Sequence, residues 1–491
     1  MTTSSYRVVI LFFGAVILTA CGGSESSNIG TSASAFANPV PAINAMAVLA
    51  PGDSYAQGAS ACVLVGTLDF TLSVFGTGFS TASVVEWNGS ARPTTVVGTA
   101  LSAQISAGDV AAAGSVAVTV SNPAPGGGRS NAAAFTIAAA GAGGGANSVA
   151  VDPTGQFAYA TIHDCSAPSV GSGSVSIYRI DTTTGMLTSI GLVPSGDWGA
   201  NSIAITPDGR FAYVGNDSDS GDGSSLAGGV SLFTADSTTG ILTLTGFTKA
   251  PCTTGPGSCT PWSIAMHPSG RFLYVANEGG LEPTSVSMYS IDSTTGNLTL
   301  IGLIGTGGRA AAVVVDPSGR FAYVLKPAPL PASVAMYTIN ATTGNLSLIG
   351  TVSDVATTAV GIIVDPTGKF VYVTNRDSND VSMYAINQTT GALAAIGRVA
   401  AGSAPVGAAV YPTGKFMYVT NSGSNDISTY AIDATTGALT SIGRVAGGIR
   451  PGAVTVDPPG KFAYVTNPNN VLIYSIDAST GALTLVGTIG I

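Results

Sequence analysis

Few residues in this chain could carry chemistry. There are two histidines, His163 and His267, in 491 residues. No Gly-rich phosphate loop, Ser-His-Asp arrangement or carboxylate pair spaced for acid–base work stands out. The densest acidic run is Asn216-Asp217-Ser218-Asp219-Ser220-Gly221-Asp222-Gly223. Three carboxylates in one loop are the oxygen ligands Ca²⁺ takes, but the distal Glu of an EF-hand loop is missing. The run reads as a polar loop, and neither a metal nor a cofactor is expected. Cys252 and Cys259 flank the turn-rich Thr253-Thr254-Gly255-Pro256-Gly257-Ser258, so a local disulfide is the first expectation. Cys62 and Cys165 then form an inter-domain bridge or stay as free thiols. Zinc finds no C-x-x-C spacing and no nearby His.

The scaffold for these groups is short-stranded. Gly accounts for 65 residues, charged residues for only 9 %, apolar residues for 45 %. Many short strands joined by Gly-rich turns fit this composition, and long amphipathic helices do not. A net charge of −9 excludes a protein that tracks nucleic acid through a basic surface.

The N-terminus reads as an address. Arg7 precedes the apolar run Val8 to Leu18, too short to span a bilayer. The run ends in Leu18-Thr19-Ala20-Cys21, which resembles the lipobox of bacterial lipoproteins. The resemblance implies a signal peptide over 1–21, acylation at Cys21 and a membrane partner through that anchor. Gly22 after the cysteine implies sorting to the outer membrane. Residues 22–37 read as a flexible tether.

Residues 38–137 alternate in short strands. Phe70, Leu72 and Val74 share a face, and Val84-Val85-Glu86-Trp87-Asn88-Gly89 ends in a hairpin signal. Val74 to Phe79, Val85 to Gly89 and Asn122 to Asn131 together resemble a TIG/IPT domain. That implies a small immunoglobulin-like β-sandwich, used as a spacer. Residues 138–146 read as a linker.

From residue 147 to 491 the chain repeats seven times. Pro-x-Gly-x-Phe-x-Tyr recurs at Pro153 to Tyr159, Pro207 to Tyr213, Pro268 to Tyr274, Pro317 to Tyr323, Pro366 to Tyr372, Pro412 to Tyr418 and Pro458 to Tyr464. An apolar inner strand precedes each copy. Asp-Pro-x-Gly suits a type I turn, and Phe and Tyr two apart place both rings on one strand face, where they can fill the space between repeats. A second turn follows at Asp181 to Leu187 and its six counterparts. Each repeat then amounts to four antiparallel strands, one blade of a seven-bladed β-propeller, and the fold class is all-β. The last repeat ends in an outer strand, so every blade is contiguous and blade 1 packs on blade 7 without strand exchange.

These repeats resemble the lactonase-family propellers, which include 6-phosphogluconolactonase-like proteins, and the related surface repeats spelled Tyr-Val-Thr-Asn, here at Tyr372, Tyr418 and Tyr464. The resemblance implies a lactonase whose nearest site motif lies in the third repeat. There Glu278 matches the enzymes' Glu, whereas Pro261-Trp262 replaces their Arg-His and His267 sits in a turn. A lactonase needs a group to activate water and donors for the oxyanion; Glu278 is the candidate base, and Arg309 and Arg450, in loops entering inner strands, are the candidate donors. Trp262 and Arg376 are expected to line the same rim. The leading expectation is nonetheless a non-catalytic scaffold in the cell envelope that binds a protein or glycan through this rim or the channel mouth; Asn375, Asn421 and Asn467 suit contact loops there, while each taken alone reads as a turn-forming Asn in a left-handed conformation. A lactone hydrolase is the alternative.

Overall fold

A computed structural model describes residues 37–48, 62–97, 99–139, 144–163, 173–197, 199–216, 228–251, 259–279, 285–327, 332–353, 355 and 358–491. Cys21, the 1–36 leader and tether, Cys165 and Cys252, and the acidic loop beyond Asn216 lie outside them, as does the side chain of Cys259.

Two folded units follow one another. In the first, Ala42–Val48, Phe70–Thr77, Ala100–Ile105 and Thr94–Val97 form one sheet in that order. Cys62–Leu64, Ala133–Ala138, Gly114–Asn122, Val84–Trp87 and Ser90–Ala91 form the facing one. Alternate residues point inward and make a single core around Leu72, Val74, Val118, Trp87 and Phe135. Trp87 and Phe135 meet at 4.9 Å.

The second unit is a propeller of seven four-stranded sheets, each built from four consecutive strands. Blade 1 is Gly144–Val151, Phe157–His163, Ser174–Ile180 and Leu187–Pro194, and blade 7 is Val454–Val456, Phe462–Asn467, Asn470–Ile476 and Leu483–Gly490. The expected turns form. Asp152 Oδ1 accepts the amides of Gln156 and Phe157, while Gly155 N donates to Asp152 O. In the second turn Asp181 Oδ1 caps the amides of Thr183 and Thr184, which holds its carboxyl below the usual range.

One contact joins each blade to the next. The Phe of Phe-x-Tyr lies flat against the turn Gly of the neighbouring blade: Phe157 on Gly240, Phe321 on Gly391, Phe462 on Gly185. The Tyr two residues on donates its hydroxyl to that glycine's carbonyl, Tyr159 to Gly240 at 3.0 Å, Tyr213 to Gly296 at 2.7 Å and Tyr464 to Gly185 at 3.3 Å among them. In blade 6 the Phe416–Gly481 contact is kept, but Tyr418 Oη is buried without a partner among the described residues. Burial pushes these phenols up. Blade 1 meets blade 7 through the same contact, with Ala158, Ala160 and Tyr178 packed on Tyr464, Val471 and Ile473. The ring therefore closes by side chains alone.

The sandwich packs against blade 1 of the propeller. Leu68 N donates to Leu192 O at 2.7 Å, and the Leu68 side chain sits over Gly191 of blade 1. Leu64 and Ala138 pack with Ile162, Leu192 and the last residue, Ile491. Cys62 is disulfide-bonded, which removes the free-thiol alternative for it.

Two outcomes follow for stability. Gly391→Ala places a methyl 2.3 Å from the Phe321 ring at φ +76. It should cost about 1–2 kcal/mol for the left-handed backbone and a further ~1–3 kcal/mol for overpacking, seen as a lower Tm. Gly305→Ala, where an added Cβ meets nothing within 4 Å, is the silent control. Leu68→Asp should lower the Tm of the propeller as well as of the sandwich, since it buries a carboxylate on blade 1; two separate transitions with an unchanged propeller Tm would refute the docking.

Candidate functional site

Each blade's inner strand begins at one rim of the propeller, and its second strand ends there. The loop from the outer strand of one blade to the inner strand of the next crosses the same rim. By register, Glu278 and Arg376 occupy the same place in blades 3 and 5, one residue past Asn277 and Asn375, and the backbone of His163 holds it in blade 1. Arg309 and Arg450 occupy a second repeated place, in the loops entering blades 4 and 7.

In blade 3 the second strand, Phe272–Gly279, pairs Glu278 with Thr260 of the inner strand Cys259–Met266. Asn277 fixes its end by donating to Ser287 Oγ at 2.7 Å. The incoming loop to blade 4 turns at Gly307 (φ 64) and brings Arg309 Nη2 to Glu278 Oε2 at 2.6 Å. Both side chains stay partly open, Arg309 41 % and Glu278 26 % exposed. Arg309 Nε is buried with no partner among the described residues, a donor left without an acceptor. The guanidinium also lies 6.0 Å from the Trp262 ring.

Trp262 reaches this place through a bulge. The register slips between Pro261 and Ser263, so Trp262 faces no cross-strand residue and is 42 % exposed. The same slip recurs at Asn147, Asn201 and Val360 in blades 1, 2 and 5. Asn147 Nδ2 donates to Ala200 O and Asn201 Nδ2 to Pro261 O, so amide side chains link the inner strands up to the one carrying Trp262. Sequence reasoning missed this belt, because a bulge leaves no mark on the alternation pattern.

Of the expected residues, Glu278, Arg309 and Trp262 come together. Arg450 and Arg376 do not join them. Arg450 is exposed, with its backbone at φ 49 and its amide bonded to Asn425 Oδ1 at 2.8 Å. Arg376 is exposed in the turn after Asn375, its amide bonded to Thr358 O. Topology explains the difference. The end of a blade's second strand lies beside the loop entering the next blade, so Glu278 of blade 3 meets Arg309. Arg450, entering blade 7, is three blades around the ring. His267 caps the opposite rim, with Nε2 2.9 Å from Gly319 O of the next blade. The strand between it and Glu278 spans roughly 20 Å.

Asn375, Asn421 and Asn467 are not contact loops. All three are buried, at 0 %, 0 % and 3 % exposure. Asn375 and Asn421 Nδ2 donate to Ser382 and Ser428 Oγ at 2.9 Å, and Asn421 Oδ1 accepts from Gly402 N. Asn375 and Asn421 thus tie the second strand to the third, Asn421 also ties it to the entering loop, and Asn467 is buried with no side-chain partner among the described residues. The left-handed turn residues are instead Asn379 and Asn425. Among the described residues no group of His, Cys, Asp and Glu could hold a metal ion.

The family model described as "Lactonase, 7-bladed beta-propeller" matches residues 113–254, 224–310, 305–410 and 400–489. No curated protein matches the sequence. Among solved structures, a candidate 6-phosphogluconolactonase of Bacteroides fragilis is 21 % identical with a TM-score of 0.54, over 66 % of this chain and 92 % of that one. The periplasmic gluconolactonase of Pseudomonas aeruginosa is 19 % identical with a TM-score of 0.54, over 68 % and 96 %. A protein from Lactobacillus plantarum is 22 % identical with a TM-score of 0.50, over 64 % and 91 %. At such identities the likeness is one of fold.

The pairing is checked by quenching of Trp262 fluorescence in a Trp198→Phe background, since Trp87 is buried. Arg309→Ala should raise acrylamide quenching while costing no more than about 1 kcal/mol of stability, as partly exposed ion pairs do. Arg376→Ala and Arg450→Ala should leave quenching unchanged.

Proposed function

The chain belongs to the lactonase family of seven-bladed β-propellers, and from that membership we propose that it is a lactone hydrolase centred on Glu278 and Arg309. The observation that carries the reading is the Glu278–Arg309 contact at 2.6 Å, open to solvent beside the exposed Trp262. Arg309 takes one carboxylate oxygen, Oε2, and leaves Oε1 to receive a proton from water. The water oxygen attacks the lactone carbonyl. The remaining guanidinium N–H groups of Arg309 face the negative charge that develops on the carbonyl oxygen. Collapse of the tetrahedral intermediate breaks the ring C–O bond, and the proton held by Glu278 passes to the departing alkoxide to give the hydroxy acid. Trp262 offers a flat apolar wall for the ring carbons.

A neutral lactone suits this chain, whose net charge of −9 opposes an anionic substrate. The lipobox-like Leu18 to Cys21 supports an envelope address with a lipid anchor at Cys21, and the propeller fold shared with a periplasmic gluconolactonase agrees with it. The TIG/IPT-like sandwich would then brace the propeller near the membrane. The dispersal of Arg376 and Arg450 around the rim favours a second reading, in which the rim binds an envelope protein or glycan without turnover.

Hydrolysis of a panel of neutral and phosphorylated lactones by the chain from residue 22 decides between them. Turnover of a neutral lactone that falls about 10²–10⁴-fold in Glu278→Gln is expected, the range typical for loss of a general base. No turnover across the panel would leave the rim as a binding surface.

A further inference from the structure

Blade 4 breaks the repeat at two facing positions. The residue five past the Phe of Phe-x-Tyr is Asn in blades 2, 3, 5, 6 and 7, namely Asn216, Asn277, Asn375, Asn421 and Asn467, and Ile162 in blade 1. In blade 4 it is Lys326. The Ser that accepts from this Asn in blades 2, 3, 5 and 6 (Ser231, Ser287, Ser382 and Ser428) becomes Ala335. In blade 7, where Leu472 takes the place of this Ser, Asn467 keeps no partner for its amide among the described residues. In blade 4 Ala335 likewise offers Lys326 no hydroxyl partner on the third strand.

Lys326 finds a partner in the loop entering its own blade. Nζ donates to Thr306 O at 3.1 Å, and Thr306 Oγ1 donates to Gly308 O at 2.5 Å. The next residue is Arg309. In blade 6 Asn421 Oδ1 accepts from Gly402 N of its entering loop, whereas Oδ1 of Asn216, Asn277, Asn375 and Asn467 meets no partner among the described residues. Lys326 reverses the polarity of the blade 6 bond, so it holds a carbonyl of its entering loop where Asn421 holds an amide. Partial burial lowers the pKa of its ammonium. This departure from the repeat occurs in the blade whose entering loop brings an Arg onto a Glu.

We infer that Lys326 is a positioning residue: it pins the Thr306–Gly308 turn and thereby sets Arg309 against Glu278 and over Trp262. It touches no substrate and acts through the loop. For activity this rests on the lactonase reading; for the loop geometry it does not.

The test uses Lys326→Met and Lys326→Arg in the Trp198→Phe chain, with Arg309→Ala as reference. Lys326→Met should raise acrylamide quenching of Trp262 to the Arg309→Ala level, and Lys326→Arg should restore it. On a hydrolysed lactone, Lys326→Met should lower kcat about tenfold while KM changes little, the signature of a misplaced group. Unchanged quenching in Lys326→Met would overturn the inference, and lost turnover with unchanged quenching would make Lys326 a catalytic group instead. If the wild-type chain hydrolyses no lactone, the enzymatic reading fails and quenching still decides the positioning role. Should Lys326→Met fail to fold, Lys326→Gln, which keeps a donor without the charge, takes its place and is expected to shift quenching less than Arg309→Ala.

Discussion

An aromatic ring laid on a glycine is the contact on which the rest of this structure depends. At each of the seven blade interfaces a Phe covers a turn Gly whose φ lies near +75, and in six of them a Tyr hydroxyl bonds that glycine's carbonyl. Neither half works without the other. A side chain on the glycine would occupy the ring's place, and the left-handed backbone keeps other residues away. Burying a Phe is worth roughly 1.5–3 kcal/mol, so seven such contacts supply what no strand exchange provides. The spacing between blades, and with it the distance from the end of one second strand to the next entering loop, follows from this contact.

That spacing makes the site a matter of which residues fall on neighbouring repeated places. Every blade presents a residue past its second strand, and every junction presents one before the inner strand. Glu278 and Arg309 are the complementary pair that adjacency brings into an ion pair. Arg450 and Arg376 hold equivalent places elsewhere on the ring, beside partners that leave them exposed. Quasi-symmetry thus spreads charges around the rim, and one local coincidence of sign concentrates them.

The architecture was legible because its determinants are local. Asp-Pro-x-Gly turns, Phe-x-Tyr spacing and the Asp-x-Thr-Thr-Gly turns all act within a few residues, and each formed as its chemistry required. The site was legible only in part. Glu278, Arg309 and Trp262 could be singled out, but their meeting depends on blade adjacency, which no local pattern encodes. The Asn of Tyr-Val-Thr-Asn resembled a loop residue because its burial comes from the third strand and the entering loop. The docking of Leu68 on Gly191 left no trace in either segment alone. Lys326 breaks the repeat, yet that break gains significance only beside Ala335 and Thr306, which sequence reasoning did not bring together with it.

The uninterrupted blades also set an order of assembly. Nearly all pairing in the propeller joins residues close in sequence, so contact order within each blade is low and each can form soon after its own strands exist. The exception is the seam, where residues near 144–194 wait for those beyond 453. A chain emerging from its N-terminus can complete six interfaces in turn, leaving an open crescent. Only when Phe462, Tyr464, Val471 and Ile473 arrive does the crescent become a ring, and the sandwich stands beside that gap with Leu64 packed near Ile162 and Leu192 of blade 1.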